Sequence, residues 1–176
     1  MWGEISTWQD EKGSRYLYVP MWGPPAKDVQ FPKSYNPAPH GSIMALQVTD
    51  EGHGPALTPL WMSRDLAVPD NVAVANGVVY AVQTGEQTLQ HVSNPEEHGK
   101  VAPGQQAETI ASLAKFRSTP LAPMVLYALD AKTGKELYSS GKQLGSWVHF
   151  SQPAVAQGKV FLVSHDAHVY AFGLKR

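Results

Sequence analysis

Glycine-closed turns recur along this chain at a spacing that few architectures tolerate. Gly13, Gly77 and Gly158 each sit between two short β-prone runs. These are Glu4–Asp10 with Ser14–Trp22, Asn71–Ala75 with Val78–Gln83, and Gln152–Ala156 with Lys159–Ser164. Asn76-Gly77 between such runs is among the strongest short hairpin signals, because both turn positions need positive φ. Past the next turn of each unit an aligned alanine follows, at Ala45, Ala128 and Ala171, which is 32, 51 and 13 residues beyond its glycine. With the shortest gap as the bare hairpin, the first two units carry insertions of 19 and 38 residues, and the glycine spacings without them are 45 and 43. Ala128 and Ala171, with no insertion between them, are also 43 apart.

A period of 43 to 45 residues with four strands in each unit is that of a β-propeller blade. The expected fold is all-β: an incomplete propeller of about two and a half four-stranded antiparallel blades, with units about 1–66, 67–144 and 145–176. A β-sandwich of independent hairpins would supply the same strands and turns but no fixed period. The first insertion, about 23–40, holds Pro24, Pro25, Pro32, Pro37 and Pro39 and is expected to form no regular structure. The second, about 87–123, contains Gln105–Arg117, where Ile110, Leu113 and Phe116 repeat at helical spacing until Thr119-Pro120. A partial ring exposes sheet edges and apolar flanks at both ends. The expected partners are therefore the remaining blades or another protein chain, with self-association through the open edges as a further route.

Composition narrows the function classes. Fourteen Lys and Arg against fifteen Asp and Glu leave a net charge of −1 with no basic run, which argues against a nucleic-acid footprint. The chain has no cysteine, so disulfides, thiolate metal sites and covalent haem attachment are excluded in this segment. The opening residues 1–13 have neither the basic nor the apolar region of a signal peptide, and no apolar run reaches transmembrane length.

The hairpin Leu126–Tyr138 is the clearest copy of the repeat. Asp130 is placed to accept backbone N–H groups across the turn that ends at Gly134, and Thr133 can add a weaker hydroxyl bond. The set Ala128, Asp130, Thr133, Gly134 and Tyr138 resembles the tryptophan-docking motif of quinoprotein-type β-propellers, with Tyr138 where that family has Trp. The stretches 2–10, 59–66, 74–82, 126–141 and 168–176 extend the likeness over the whole chain, which is similar to the C-terminal segment of a bacterial repeat protein of the pyrroloquinoline-quinone (PQQ)-like type. The resemblance implies that the ring of Tyr138 packs on a neighbouring blade, between a small Ala and a Gly peptide. It implies a non-catalytic scaffold or protein-interaction segment of a larger periplasmic, extracellular or outer-membrane protein. The alternative is the C-terminal part of a quinone-dependent dehydrogenase whose catalytic residues lie outside the segment, and an electron-transfer partner is a third, weaker idea. Family dehydrogenases use a vicinal cysteine pair, a stacking Trp and a Ca²⁺ site of Glu, Asn and Asp. PQQ and calcium are therefore expectations for a full-length relative only, and no catalytic, cofactor or metal residue is assigned in this chain. Whether the parent is an enzyme is left open.

Other residues invite chemistry and have a plainer reading. His165 and His168 flank a tight turn, where residues three apart need not converge on a metal. Ser164, His165 and Asp166 are neighbours in sequence, whereas a catalytic triad is assembled in space. His149 precedes Phe150 at a strand start and could face a central channel, but one histidine is not a site. Asp50, Glu51 and His53 read as solvated turn residues, and Ser63-Arg64-Asp65 has no nucleophile-and-base pattern. Trp2, Trp8, Trp22, Trp61 and Trp147 are expected to pack between blades rather than stack a ligand. The Pro-rich insertion with Tyr35 and His40 is expected to overhang one face of the ring.

Overall fold

The computed structural model describes residues 4–35, 37–50, 52, 54–86 and 119–174. Among them there is no helix, and the strands form three sheets. The helical expectation for 105–117 lies outside the described residues, as do Trp2, Glu51 and His53.

The first sheet is a meander of β1 (Ser6–Gln9), β2 (Arg15–Trp22), β4 (Gly41–Asp50) and β5 (Pro55–Met62), all antiparallel neighbours. The second is β6 (Ala73–Ala75), β7 (Val78–Gln83), β8 (Val125–Asp130) and β9 (Glu136–Ser139) in sequence order. The third contains β10 (Ala154–Ala156), β11 (Lys159–Val163) and β12 (Val169–Gly173). The predicted hairpins are all present, and the alanines of the repeat pair with equivalent positions: Tyr18 with Ala45, Tyr80 with Ala128, Phe161 with Ala171.

One detail differs from the expectation of four antiparallel strands in each complete unit. The Pro-rich insertion is not wholly irregular, since Lys33–Ser34 forms β3 and runs parallel to Trp61–Met62 at the outer edge of the first sheet. Prolines forbid a long strand, but two residues between Pro32 and Pro37 can still pair. This strap covers an edge whose N–H and C=O groups would otherwise be open to another chain. The third sheet has three strands among the described residues, the three read in the incomplete third unit, and β12 is an edge.

The sheets are stacked, and their first strands lie together: β1 runs beside β6, and β10 beside β6. Polar side chains stitch this inner seam. Ser6 Oγ donates to the Val72 carbonyl at 2.5 Å, Gln152 Nε2 donates to the same carbonyl at 3.0 Å, and the Glu4 amide donates to Asn71 Oδ1 at 2.6 Å. Strand alternation then sends one face of each sheet toward the next. Tyr16, Tyr18, Ile43, Ala45 and Trp61 of the first sheet pack on Val79, Ala81, Tyr127 and Leu129 of the second. The opposite face of the second sheet, with Val82 and Leu126, packs on Val160 and Leu162 of the third.

Trp61 is the pin between the first two sheets. It is fully buried, its Nε1–H donates to the Ala131 carbonyl at 3.0 Å, and Tyr18 Oη donates to the same oxygen at 3.1 Å. The indole lies against Gly134, where a Cβ would come within 2.5 Å of the ring. Gly134 also has φ +71°, so glycine is required there twice over. Asp130 holds the loop in shape as anticipated: its Oδ1 accepts from the Lys132 amide (3.1 Å), the Thr133 amide (2.8 Å) and the Thr133 hydroxyl (2.7 Å). The ring seated on this hairpin is thus Trp61 from the preceding unit. Tyr138 itself is 39% exposed and reaches Phe172 of the third sheet, with centroids 6.2 Å apart and planes tilted.

A second link crosses the same interface. Asp10 is buried, with Oδ1 accepting from the amides of Lys12 (3.0 Å) and Ser14 (2.9 Å), while Oδ2 meets Lys132 Nζ at 2.5 Å. The ammonium also lies 5.9 Å from the Trp8 ring centre. Lys132 is the main reason that the Asp10 carboxyl titrates below its ordinary 3.8, with the two amides adding to the effect.

Trp61→Ala removes a buried indole and its hydrogen bond and is expected to destabilise the protein by about 3–5 kcal/mol, read by urea unfolding. The Asp10 carboxyl is depressed in the folded state, so its contribution is present above pH 3.8 and is lost as pH falls through the folded value. Lys132→Met should therefore be less stable than the parent at neutral pH and should lose less on acidification, measured as unfolding midpoints across an acid series.

Candidate functional site

Antiparallel alternation sorts the connections by end. The turns 10–14, 76–77, 131–134 and 157–158 are short and lie at one end of the sheets, where β4 ends and β5 begins. The strands β2, β5, β7, β9 and β11 end at the other end, where most connections are long and 164–168 is a short turn. The unit-to-unit crossings 63–72 and 140–153 therefore share one loop face, where the buried carboxyls of Asp70 and Glu86 lie.

Asp70 is 2% exposed. Its Oδ1 accepts from the Asn71 amide and its Oδ2 from the Ser151 amide, each at 2.8 Å, and the Phe150 amide also donates to the carboxylate. Burial pushes this carboxyl above its ordinary value, partly offset by the amides and by His149. Glu86, equally buried, meets His149 Nδ1 through Oε1. Val148 N donates to the Thr84 carbonyl at 3.1 Å, and Thr84 Oγ1 donates to Val68 O at 2.7 Å, so three loops are tied in sequence. Two residues pay in backbone strain: Val68 has φ 52° and Phe150 has φ 51°, a region that side chains seldom occupy. The Phe150 ring is 53% exposed and lies beside His149, centroids 3.7 Å apart.

Chemically this cluster holds loops. The Asp70 oxygens are spent on backbone amides, and no group of three His, Cys, Asp or Glu among the described residues is arranged to hold a metal ion. His149 is not the isolated histidine of the sequence reading, because Glu86 meets it. Asp70 and Glu86 are absent from the sequence-derived candidates. Their partners lie 81 and 63 residues further on, across an insertion, and no local pattern marks them.

The remaining candidates fall elsewhere. His165 stacks on Trp147 at 4.2 Å, whereas His168 Nδ1 lies 3.1 Å from Asp166 Oδ1, so the two histidines have separate partners. Ser164 Oγ donates to the same Asp166 oxygen. The carboxylate thus stands between the hydroxyl and the imidazole, the reverse of a triad, in which the imidazole must take the hydroxyl proton. His40 and Asp65 form a 2.7 Å surface pair. Arg64 reaches Glu136 at 3.2 Å and covers the Tyr127 ring at 5.4 Å, beside a hollow of about 210 Å³. Tyr35 closes this hollow, its hydroxyl donating to the Thr133 carbonyl at 2.9 Å, so the Pro-rich strap reaches from the first unit to the second. Asp50 caps its own turn through the Gly52 amide at 3.1 Å. Trp8 stacks on Tyr16 at 5.3 Å, and Trp22 Nε1 donates to the Pro69 carbonyl at 2.8 Å.

No family model, no curated protein and no solved structure matches this chain.

Asp70→Ala leaves the amides of Asn71, Phe150 and Ser151 without their buried acceptor. The expected loss is about 1–3 kcal/mol, with faster amide exchange at 150–151 than in β7, read by hydrogen–deuterium exchange.

Proposed function

We propose that this chain is a PQQ-like β-propeller repeat segment, acting as a non-catalytic scaffold or protein-interaction module within a larger extracytoplasmic protein. The observation that carries the reading is the seating of Trp61 on the Ala131–Gly134 hairpin of the next unit. It is a unit-to-unit contact that serves a radial stack of repeats and has no use in independent hairpins. The adjacency of β1, β6 and β10 supports the same reading, since blades of a propeller gather their first strands at the axis. The scaffold role is supported by the use made of buried charge. Asp10 with Lys132, Asp70 with backbone amides, and Glu86 with His149 all join one unit or loop to another.

Two measurements test this. The full reading frame around this stretch should encode further units of the same period, and a frame with no further unit overturns the larger-protein reading. The purified product of that frame, supplied with PQQ and Ca²⁺, should show no stoichiometric uptake of the quinone and no alcohol-dependent dye reduction. Uptake with dye reduction would replace the scaffold by a dehydrogenase.

A further inference from the structure

The hollow between the first two units has two opposite charges among its walls. It is lined by Tyr35 of the strap, Arg64 just after β5, Leu129 of β8, Gly134 of the turn that follows and Glu136 of β9. None of these residues belongs to the first or the last strand, so whatever adjoins either end of the stretch does not line the hollow. Its volume is about 210 Å³, below the roughly 300 Å³ at which pockets for drug-sized ligands begin, so the occupant it suits is a smaller molecule.

Both charged groups keep hydrogen-bonding capacity in reserve. The Arg64 guanidinium sits over the Tyr127 ring, which steadies it against an aromatic face. One of its five N–H donors, on Nη1, goes to Glu136 Oε2 at 3.2 Å. The other four, and Glu136 Oε1, make no hydrogen bond among the described residues. The two side chains are 49% and 39% exposed, and an exposed pair held by a single contact contributes little, so a ligand opens it at small cost. Leu129 gives the hollow an apolar wall. Tyr35, held through its hydroxyl by the Thr133 carbonyl, gives it an aromatic one.

These walls select a ligand by its charges. A bare carboxylate entering the hollow meets the like charge of Glu136, and a bare amine meets that of Arg64. A small molecule that carries an ammonium and a carboxylate on one carbon meets a partner for each. We propose that the hollow binds a free α-amino acid, its carboxylate on the unused N–H groups of Arg64, its ammonium on Glu136, and its side chain against Leu129 and Tyr35. The single Arg64–Glu136 contact is then exchanged for two charge-assisted ones, of which the guanidinium–carboxylate contact can be bidentate. This goes beyond the scaffold reading and does not rest on it.

The test follows the backbone amide resonances of the full 176-residue chain by NMR as glycine, L-alanine or L-leucine is added. At least one of the three is expected to shift Tyr35, Arg64, Leu129 and Glu136 saturably. Its N-acetyl derivative and its amide, each lacking one charge, should bind about tenfold more weakly, the usual order for one hydrogen bond to a charged group. Glu136→Gln should abolish the advantage over the N-acetyl derivative and keep the advantage over the amide. Arg64→Gln should do the reverse, a split that a merely structural role would not produce. Both substitutions are at half-exposed positions, and thermal melts check that the variants fold. Three outcomes overturn the inference: no saturable shift with any of the three amino acids, shifts confined to other residues, or an N-acetyl derivative that binds as well as the free amino acid. The last would mark Arg64 as a site for carboxylates in general.

Discussion

One indole organises the interface between the first two sheets. Trp61 spans the gap between two sheets, fills the space over Gly134 and satisfies the Ala131 carbonyl from the side. Each part needs the others. The ring fits only because Gly134 has no side chain, Gly134 is held at positive φ only while the 130–134 loop keeps its shape, and that loop is fixed by three hydrogen bonds to one Asp130 oxygen. The Ala131 carbonyl would otherwise be a buried acceptor facing apolar rings, which is costly to leave unmet. Tyr18 donates to it as well, so two strands of the first sheet converge on one atom of the second.

The loop face is built on the same economy with different chemistry. There the joining groups are charged: a buried carboxylate accepts backbone amides from the entry to the third sheet, and an acid meets an imidazole beside it. Burial makes the Asp70 charge expensive and the amides offset the cost, which is the balance seen in its raised titration. Strain at Val68 and Phe150 is tolerated because the surrounding hydrogen bonds leave those residues no other conformation. The opposite end of the sheets has a charged link of its own, Asp10 with Lys132, between two short turns that glycine completes.

Much of this was legible in the residues. Asn76-Gly77, Gln157-Gly158 and Asp130 to Gly134 marked their turns because turn chemistry is local: positive φ and a carboxylate two or three residues away suffice. Alternation of apolar residues marked two-faced strands for the same reason. The docking aromatic was less legible. Trp61 lies sixteen residues beyond Ala45, whereas Tyr138 lies ten beyond Ala128, because β4 and β5 are longer than β8 and β9, the same bulge following both alanines. A count from the motif thus points to Tyr138 and passes over Trp61, although Trp61 makes the full contact.

Sequence alone determined the strands, their turns, which residues share a face and the period that repeats them, because each of these depends on neighbours within a few residues. Tertiary structure decided which faces meet, which aromatic fills the gap over Gly134, that the proline-rich insertion straps an edge, and that Asp70 and Glu86 close the loop face. These contacts join residues separated by insertions of unrelated length. Strands of different length then shift which side chain arrives, so no spacing in the chain encodes them.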